Sequence, residues 1–211
     1  MSDKCIIKKV EKNGTAIFLL ENILDEEELK IFYTTFTYLK PHLLPPDGSG
    51  TARNEDGQPL KDNKAIFLHE LRPKPALIEI FRERLFSILE FIYDSGYIRN
   101  IDSIYYSSRF ADDTGHLLSY DGQNNSRYLP HRDSSIVTLL SWFDEDKNNY
   151  TGGDLFLPEI NLTLKSKHNT GVIIPGALVH EVTPVTAINN NKPAGRITYS
   201  VFAIQCLKHK H

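Results

Sequence analysis

The sequence predicts an α+β fold, and three observations carry that prediction. Two amphipathic helical periods fall in the N-terminal half. A succession of short, β-branched and aromatic runs follows them. No further helical period separates those runs, so an antiparallel sandwich or barrel is expected in the C-terminal half, with the helices as support.

A strand-like stretch from Gly14 to Leu20 leads to Asp25, which is placed to cap a helix. Glu26, Glu27 and Glu28 suit the positive end of that helix. The helix is expected to run to about Leu39, with Leu29, Ile31, Phe32, Phe36 and Leu39 on one apolar stripe and Pro41 as its stop. From Leu44 to Lys64 the chain is rich in Gly, Pro, Asp and Asn and reads as a long exposed loop, a candidate substrate-covering segment. A second helix is signalled over Ala76 to Tyr97, where Leu77, Ile80, Leu85, Ile88, Leu89 and Ile92 recur at spacings of three and four. Past Gly96 the runs SIYYSSRF, SSIVTLLSWF, GGDLFLPEI, TGVIIPGALV and RITYSVFAI read as strands. The terminal LKHKH reads as an unpacked tail, and its histidines receive no function.

At 211 residues and 40% hydrophobic, the chain suits one compact domain, with helical support and the loop to about residue 100 and a core from about 101 to 207. Lys and Arg total 24 against 27 for Asp and Glu, so the net charge of −3 gives no pull toward nucleic acid or anionic membranes. Cys5 and Cys206 form no metal or redox pair, and no apolar stretch reaches the length of a signal peptide or membrane span. A cytoplasmic protein with reduced thiols is expected; oligomeric state is not predicted.

His131-Arg132-Asp133 is expected at the head of a strand, where alternation sends His131 and Asp133 to one face. Alone this spacing arises often by chance. A third ligand, His180, follows TGVIIPGALV, and a return strand brings it within reach. Two histidines and one carboxylate occupy one face of an octahedron and leave three positions open, an arrangement that suits non-haem iron(II), whereas zinc more often takes a closed tetrahedron or one open position. Arg196, Thr198 and Ser200 share one strand face, which suits bidentate capture of a buried carboxylate; seen alone, Arg196 would read as a surface ion-pair residue.

The run from Tyr128 through His131 to Asp133, then YTGGDLFLP from Tyr150, then HEVTP from His180, then Arg196, resembles the 2-oxoglutarate and iron(II)-dependent dioxygenases of the prolyl 4-hydroxylase-like branch. The resemblance covers roughly Tyr105 to Cys206. It implies a double-stranded β-helix, or jelly-roll, core, with iron on His131, Asp133 and His180 and the distal carboxylate of 2-oxoglutarate on Arg196. It implies dioxygen as oxidant and ascorbate as a supporting reductant. Tyr120 becomes a candidate co-substrate contact, beside the plainer reading of a tyrosine packing at a strand end. Thr138 and Leu140 have the parity to line the pocket, and Thr198 or Ser200 to support the clamp. Trp142 stands where relatives commonly keep a co-substrate-contacting tyrosine, and Gly152-Gly153 reads as a structural turn. Arg53, Lys61, Arg109, Arg127 and the acidic Asp144-Glu145-Asp146 are expected around the pocket mouth. The implied reaction is hydroxylation of an unactivated C–H bond in a peptidyl or free amino acid or a small metabolite. Two rivals stand beside it: a cupin-like metal-dependent isomerase or hydrolase, and a non-catalytic jelly-roll binding module.

Overall fold

The computed structural model describes residues 5–98, 103–108, 112–145, 149–189, 191–192 and 194–204. Strands β1 (Ile6–Lys12) and β2 (Thr15–Glu21) form a hairpin, followed by helix α1 (Glu26–Leu39), β3 (Lys64–Phe67) and helix α2 (Leu77–Asp94). After the short helix α3 (Ile104–Ser107) come β4 (Asp112–Asp121), β5 (Tyr128–His131), β6 (Val137–Asp144), β7 (Tyr150–Gly152), β8 (Leu155–Leu157) and β9 (Leu162–Leu164). The last elements are β10 (Thr170–Pro175), β11 (His180–Val182), β12 (Val185–Ala187) and β13 (Gly195–Ile204).

A major sheet has the order β1-β2-β10-β6-β13-β4-β3, a minor sheet the order β5-β11-β8-β9, and β12 pairs with β7. All these pairings are antiparallel. This is the expected jelly-roll core with N-terminal helices against it. Alternation along the central strands divides the apolar residues between two layers. Ile197, Tyr199, Val201 and Ala203 of β13, with Val137, Leu139 and Phe143 of β6, pack against Phe32, Phe36, Phe81, Leu85 and Ile88 of the helices. Leu118 and Tyr120 of β4, Leu140 and Trp142 of β6 and Val172 and Ile174 of β10 pack toward Leu155, Leu157 and Val182 of the minor sheet.

Helix α1 begins where the sequence places it. The Asp25 carboxylate accepts from the backbone N–H groups of Glu27 and Glu28, and Glu28 returns to accept from the Asp25 N–H, a complete capping box. The same Glu28 carboxylate receives Arg84 Nη2 from α2 at 2.7 and 2.8 Å, so one side chain both caps α1 and ties the helices together. Ile31 departs from the expected stripe: it is 40% exposed, because Phe32, Phe36 and Leu39 define the buried line and Ile31 is rotated off it.

Other local expectations are corrected. In SIYYSSRF, residues 104–107 are helical rather than extended; Arg109 and Phe110 lie outside the described residues, as do Asp146, Cys206 and the LKHKH tail. Tyr105 explains the override of β propensity, since its ring meets Phe18 edge-on at 5.0 Å and its hydroxyl donates to the Ala16 carbonyl. The charged β1 drew no strand prediction, and of β4 only the end at Tyr120 was read as strand. The 44–64 segment is not an exposed loop throughout: Ser49, Lys61 and Asn63 are buried, and residues 60–62 lie along β5 through Leu129 N–H to Leu60 O and Asp62 N–H to Arg127 O.

Because Arg84 is buried and Glu28 is its one ionic partner among the described residues, Glu28→Ala should remove half of the capping box and strand a buried cation. The expected loss is about 3 kcal/mol, read as a lowered urea midpoint with unchanged slope.

Candidate active site

The site is built on the pairing of β5 with β11, which sets His180 directly opposite His131. Each imidazole is oriented by its own backbone. His131 Nδ1 donates to Leu129 O at 2.8 Å, and His180 Nδ1 to Leu178 O at 2.9 Å. A carbonyl only accepts, so each ring carries a proton on Nδ1, and Nε2 is the atom that each ring offers to a ligand. Those two atoms face one carboxylate: His131 Nε2 is 3.9 Å from Asp133 Oδ1, and His180 Nε2 is 3.6 Å from Asp133 Oδ2.

Asp133 reaches this position in a way the sequence reading did not anticipate. His131 is the last residue of its strand, and Asp133 lies beyond it in the connection to β6, held by its N–H to Gly176 O at 2.9 Å. Its Oδ2 also accepts from the Thr138 hydroxyl at 2.6 Å, and Thr138 in turn shares a 2.7 Å hydrogen bond with Ser135. Thr138 is thus corrected from a cavity-lining residue to a support for Asp133, since it is fully buried and absent from the cavity wall. Tyr128 stacks on the His131 ring at 3.6 Å, and its hydroxyl accepts from Ala52 N–H at 3.0 Å.

The donor set fits a divalent cation. All three ligand atoms lie within 4.8 Å of one another, and each is a donor type that divalent cations take. Burial first, then the neighbouring His180, holds His131 down to about 3, so its imidazole is neutral and ready to ligate. Burial raises Asp133, the direction a bound cation opposes.

A cavity of about 410 Å³ opens beside the three ligands. Its deep end carries Arg196, Tyr120 and Thr198, all nearly inaccessible to solvent. Arg196 Nη1 donates to Gly153 O at 2.5 Å, and its guanidinium carbon stands 4.5 Å from the centre of the Tyr120 ring. Among the described residues Arg196 Nε and Nη2 and Thr198 Oγ1 have no hydrogen-bond partner. Buried donors without partners are costly, and a carboxylate is the group that satisfies a guanidinium edge. Burial pulls the Arg196 pKa down, an effect that the neighbouring Tyr120 and Tyr150 oppose, and pushes Tyr120 up, so the Tyr120 hydroxyl keeps its proton.

Leu140, Ser200 and Trp142 also line the cavity. Thr198 stands directly opposite Trp142 across β13 and β6, so a hydroxyl is supplied beside the position that lacks a tyrosine. Gly152 and Gly153 have φ of +76° and +72°, and a Cβ on Gly152 would meet Pro184 O at 2.0 Å. Their turn is structural, as read, but it also delivers the Gly153 carbonyl to Arg196. The charged residues expected at the mouth are elsewhere engaged: Arg53 with Asp47, Arg127 with Asp62, Glu145 with Lys40, Asp144 with Tyr150. Neither they nor Lys61 line the cavity; Arg109 and Asp146 fall outside the described residues. The sequence reading missed His116 and Phe67, which complete the outer wall together with Gly50–Ala52 of the segment read as substrate-covering. Alternation along β4 sends His116 to the face of Tyr120, a signal present in the sequence, and the register sets it opposite Ser200.

No protein-family model matches the chain, and no curated protein matches it. Solved structures do. A prolyl hydroxylase from Trichoplax adhaerens, in complex with a hypoxia inducible factor oxygen degradation domain peptide fragment, superposes with a TM-score of 0.62 at 12% identity, covering 90% of this chain and 83% of that one. The fold is that of the prolyl hydroxylases. A Pseudomonas putida prolyl-4-hydroxylase matches with a TM-score of 0.57 at 13% identity over 90% of this chain and 92% of that one. The viral collagen prolyl hydroxylase of Paramecium Bursaria Chlorella virus-1, in its 2OG complex, gives 0.54 at 13% identity over 89% and 96%. The prolyl hydroxylase fold, with both sheets and the flanking helices, therefore extends over nearly the whole chain.

Two outcomes are expected here. Thr138→Val should release one Asp133 oxygen and weaken divalent metal binding about 10- to 100-fold, measured by isothermal titration with the fold checked by circular dichroism. For metal-free protein, His131 and His116 are held near 3 by burial but protonate near 6.5 once unfolded. Unfolded chain therefore binds more protons between those values, and each histidine removes stability as pH falls below about 6.5, by at most about 1.4 kcal/mol per pH unit. Thermal melting in chelator should give a lower midpoint at pH 5 than at pH 7; equal midpoints would contradict the burial of these rings.

Proposed function

We propose that the chain is an iron(II)- and 2-oxoglutarate-dependent oxygenase that hydroxylates an unactivated C–H bond of a peptidyl or free amino acid or a small metabolite. The observation that carries this reading is the buried Arg196, with two unpartnered nitrogens, at the deep end of the cavity that also holds His131, Asp133 and His180. A metal-dependent isomerase or hydrolase needs no buried guanidinium beside its metal, and a binding module needs neither.

In this reading His131, Asp133 and His180 hold iron(II), and Arg196 with Thr198 holds the distal carboxylate of 2-oxoglutarate, with Tyr120 beneath the guanidinium. When bound, the metal and the 2-oxo acid together supply activation of dioxygen, coupled to oxidative decarboxylation of the co-substrate to succinate and carbon dioxide. The chain's own side chains bind and orient. Leu118, Leu140, Trp142, Leu155 and Val182 exclude water around the co-substrate, which strengthens the Arg196 ion pair. Thr138 and the two backbone carbonyls fix the ligands in the forms that bind metal. No side chain acts as general acid or base. The helices pack on the same sheet that carries Arg196, which supports treating the chain as one domain. No described helix is long and apolar enough to cross a membrane, and the free, half-buried Cys5 suits a reducing cytoplasmic setting.

Anaerobic addition of 2-oxoglutarate to iron-loaded protein should produce the visible charge-transfer absorbance of a chelated 2-oxo acid. Arg196→Ala should raise the concentration needed by about 100-fold or more while leaving iron binding nearly unchanged. Absence of the band at full iron occupancy would move the assignment to a cupin-like isomerase or hydrolase.

A further inference from the structure

Strand β13 lays out the cavity floor as a graded series. Arg196, Thr198, Ser200, Phe202 and Ile204 all line it, so the strand runs about 26 Å from a charged end to an apolar one. Directly opposite on β4 stand Tyr120, Leu118, His116 and Thr114. Thr138, which holds Asp133, lies opposite Phe202, so the metal ligands flank the outer half of the series. The inner half is accounted for by a dicarboxylate. The outer half is a second chamber of different chemistry.

His116 is the polar centre of that chamber. Its ring stacks on Phe67 at 4.0 Å and 12°, with Phe202 at 6.2 Å. Its Nε2 lies 3.2 Å from Ser49 O, which fixes the proton on Nε2 and leaves Nδ1 a bare acceptor. Lys61 Nζ donates to the same carbonyl at 3.0 Å from behind the wall. Burial first, then the charge of Lys61, holds His116 down to about 3, so the ring is neutral wherever the protein is folded. The roof is Gly50 to Ala52. Gly50 has φ +54°, and a Cβ there would stand 2.3 Å from Phe67 Cε2, so bare backbone closes directly on the aromatic wall.

We propose that His116 is a specificity-determining residue whose Nδ1 accepts a hydrogen bond from an uncharged N–H or O–H group of the substrate, seated between Phe67, Phe202 and the Gly50–Ala52 roof. This rests on the oxygenase reading and names the substrate class for the same cavity: neutral, compact and apolar or planar, with one donor. Once a cation occupies His131, Asp133 and His180 and a carboxylate occupies Arg196, charged groups are disfavoured in the outer half because those are the charged partners that the cavity wall offers. Arg132 at the rim is taken by Glu159 at 2.6 Å and by the Ala177 carbonyl, and Lys61, held down to about 7 by burial, stays behind the wall on the Ser49 carbonyl. A carboxylate or ammonium would therefore lose its water uncompensated.

Four probes of matched shape test this: benzamide, methyl benzoate, benzoate and benzamidinium, each titrated into protein labelled with ¹⁵N-histidine. The His116 nitrogens should report the Nε2–H form, and benzamide should shift Nδ1 with affinity about tenfold above methyl benzoate, which lacks a donor. Benzoate and benzamidinium should leave the His116 signals unmoved. His116→Gln, which keeps an acceptor, should retain the preference for benzamide over methyl benzoate in ligand-observed NMR, and His116→Leu should abolish it. An Nδ1–H form in the free protein, equal affinity for benzoate or methyl benzoate, or no shift with any probe would overturn the proposal. With zinc(II) on the three ligands and saturating succinate at Arg196, the titration needs neither iron nor turnover, so it fails or succeeds independently of the 2-oxoglutarate absorbance.

Discussion

The cross-strand pairing of His131 with His180 is the contact on which the rest of the site depends. Both strands are short, and both imidazoles are turned by the carbonyl two residues before them, so each presents Nε2 to the same point. Asp133 meets them from a connection rather than a strand, anchored through its own N–H and through Thr138. Three lone-pair donors held at one point repel one another and are reconciled by a cation, so the geometry of a metal site is written into backbone hydrogen bonds.

The second constraint is the double duty of β13. One face is apolar and takes the weight of the helices; the other carries Arg196, Thr198 and Ser200 into the cavity. A buried guanidinium is expensive, and here it is supported by the Gly153 carbonyl and the Tyr120 ring rather than by a close carboxylate. The helices give that strand the rigidity to hold the arginine at a fixed depth. Packing on one face and binding on the other are thus the same structural fact.

The outer wall is coupled to the metal ligands through Tyr128. Its ring lies on His131, and its hydroxyl holds the backbone at Ala52, so the 44–64 segment is fastened at the site as well as along β5. The polar composition that marked this segment as a loop is consistent with its being tied down, because its buried polar groups Ser49 and Lys61 serve one shared carbonyl junction with His116.

The sequence by itself determined the α+β class, the capped start of α1, most of the buried helix stripes and the identities of His131, Asp133, His180 and Arg196. Those were legible because capping chemistry and side-chain periodicity are local, and because the order of His, Asp, His and Arg is distinctive in combination. Tertiary structure alone decided that Ile104–Ser107 turns helical around the anchored Tyr105, that Asp133 leaves the strand, and that Thr138 supports a carboxylate rather than lining the cavity. It also decided that His116, Phe67 and Gly50 share a chamber. Thr138 reaches Asp133 from only five residues away, but the others rest on register or on contacts between residues far apart in the chain, and no local pattern encodes which strand lies opposite which.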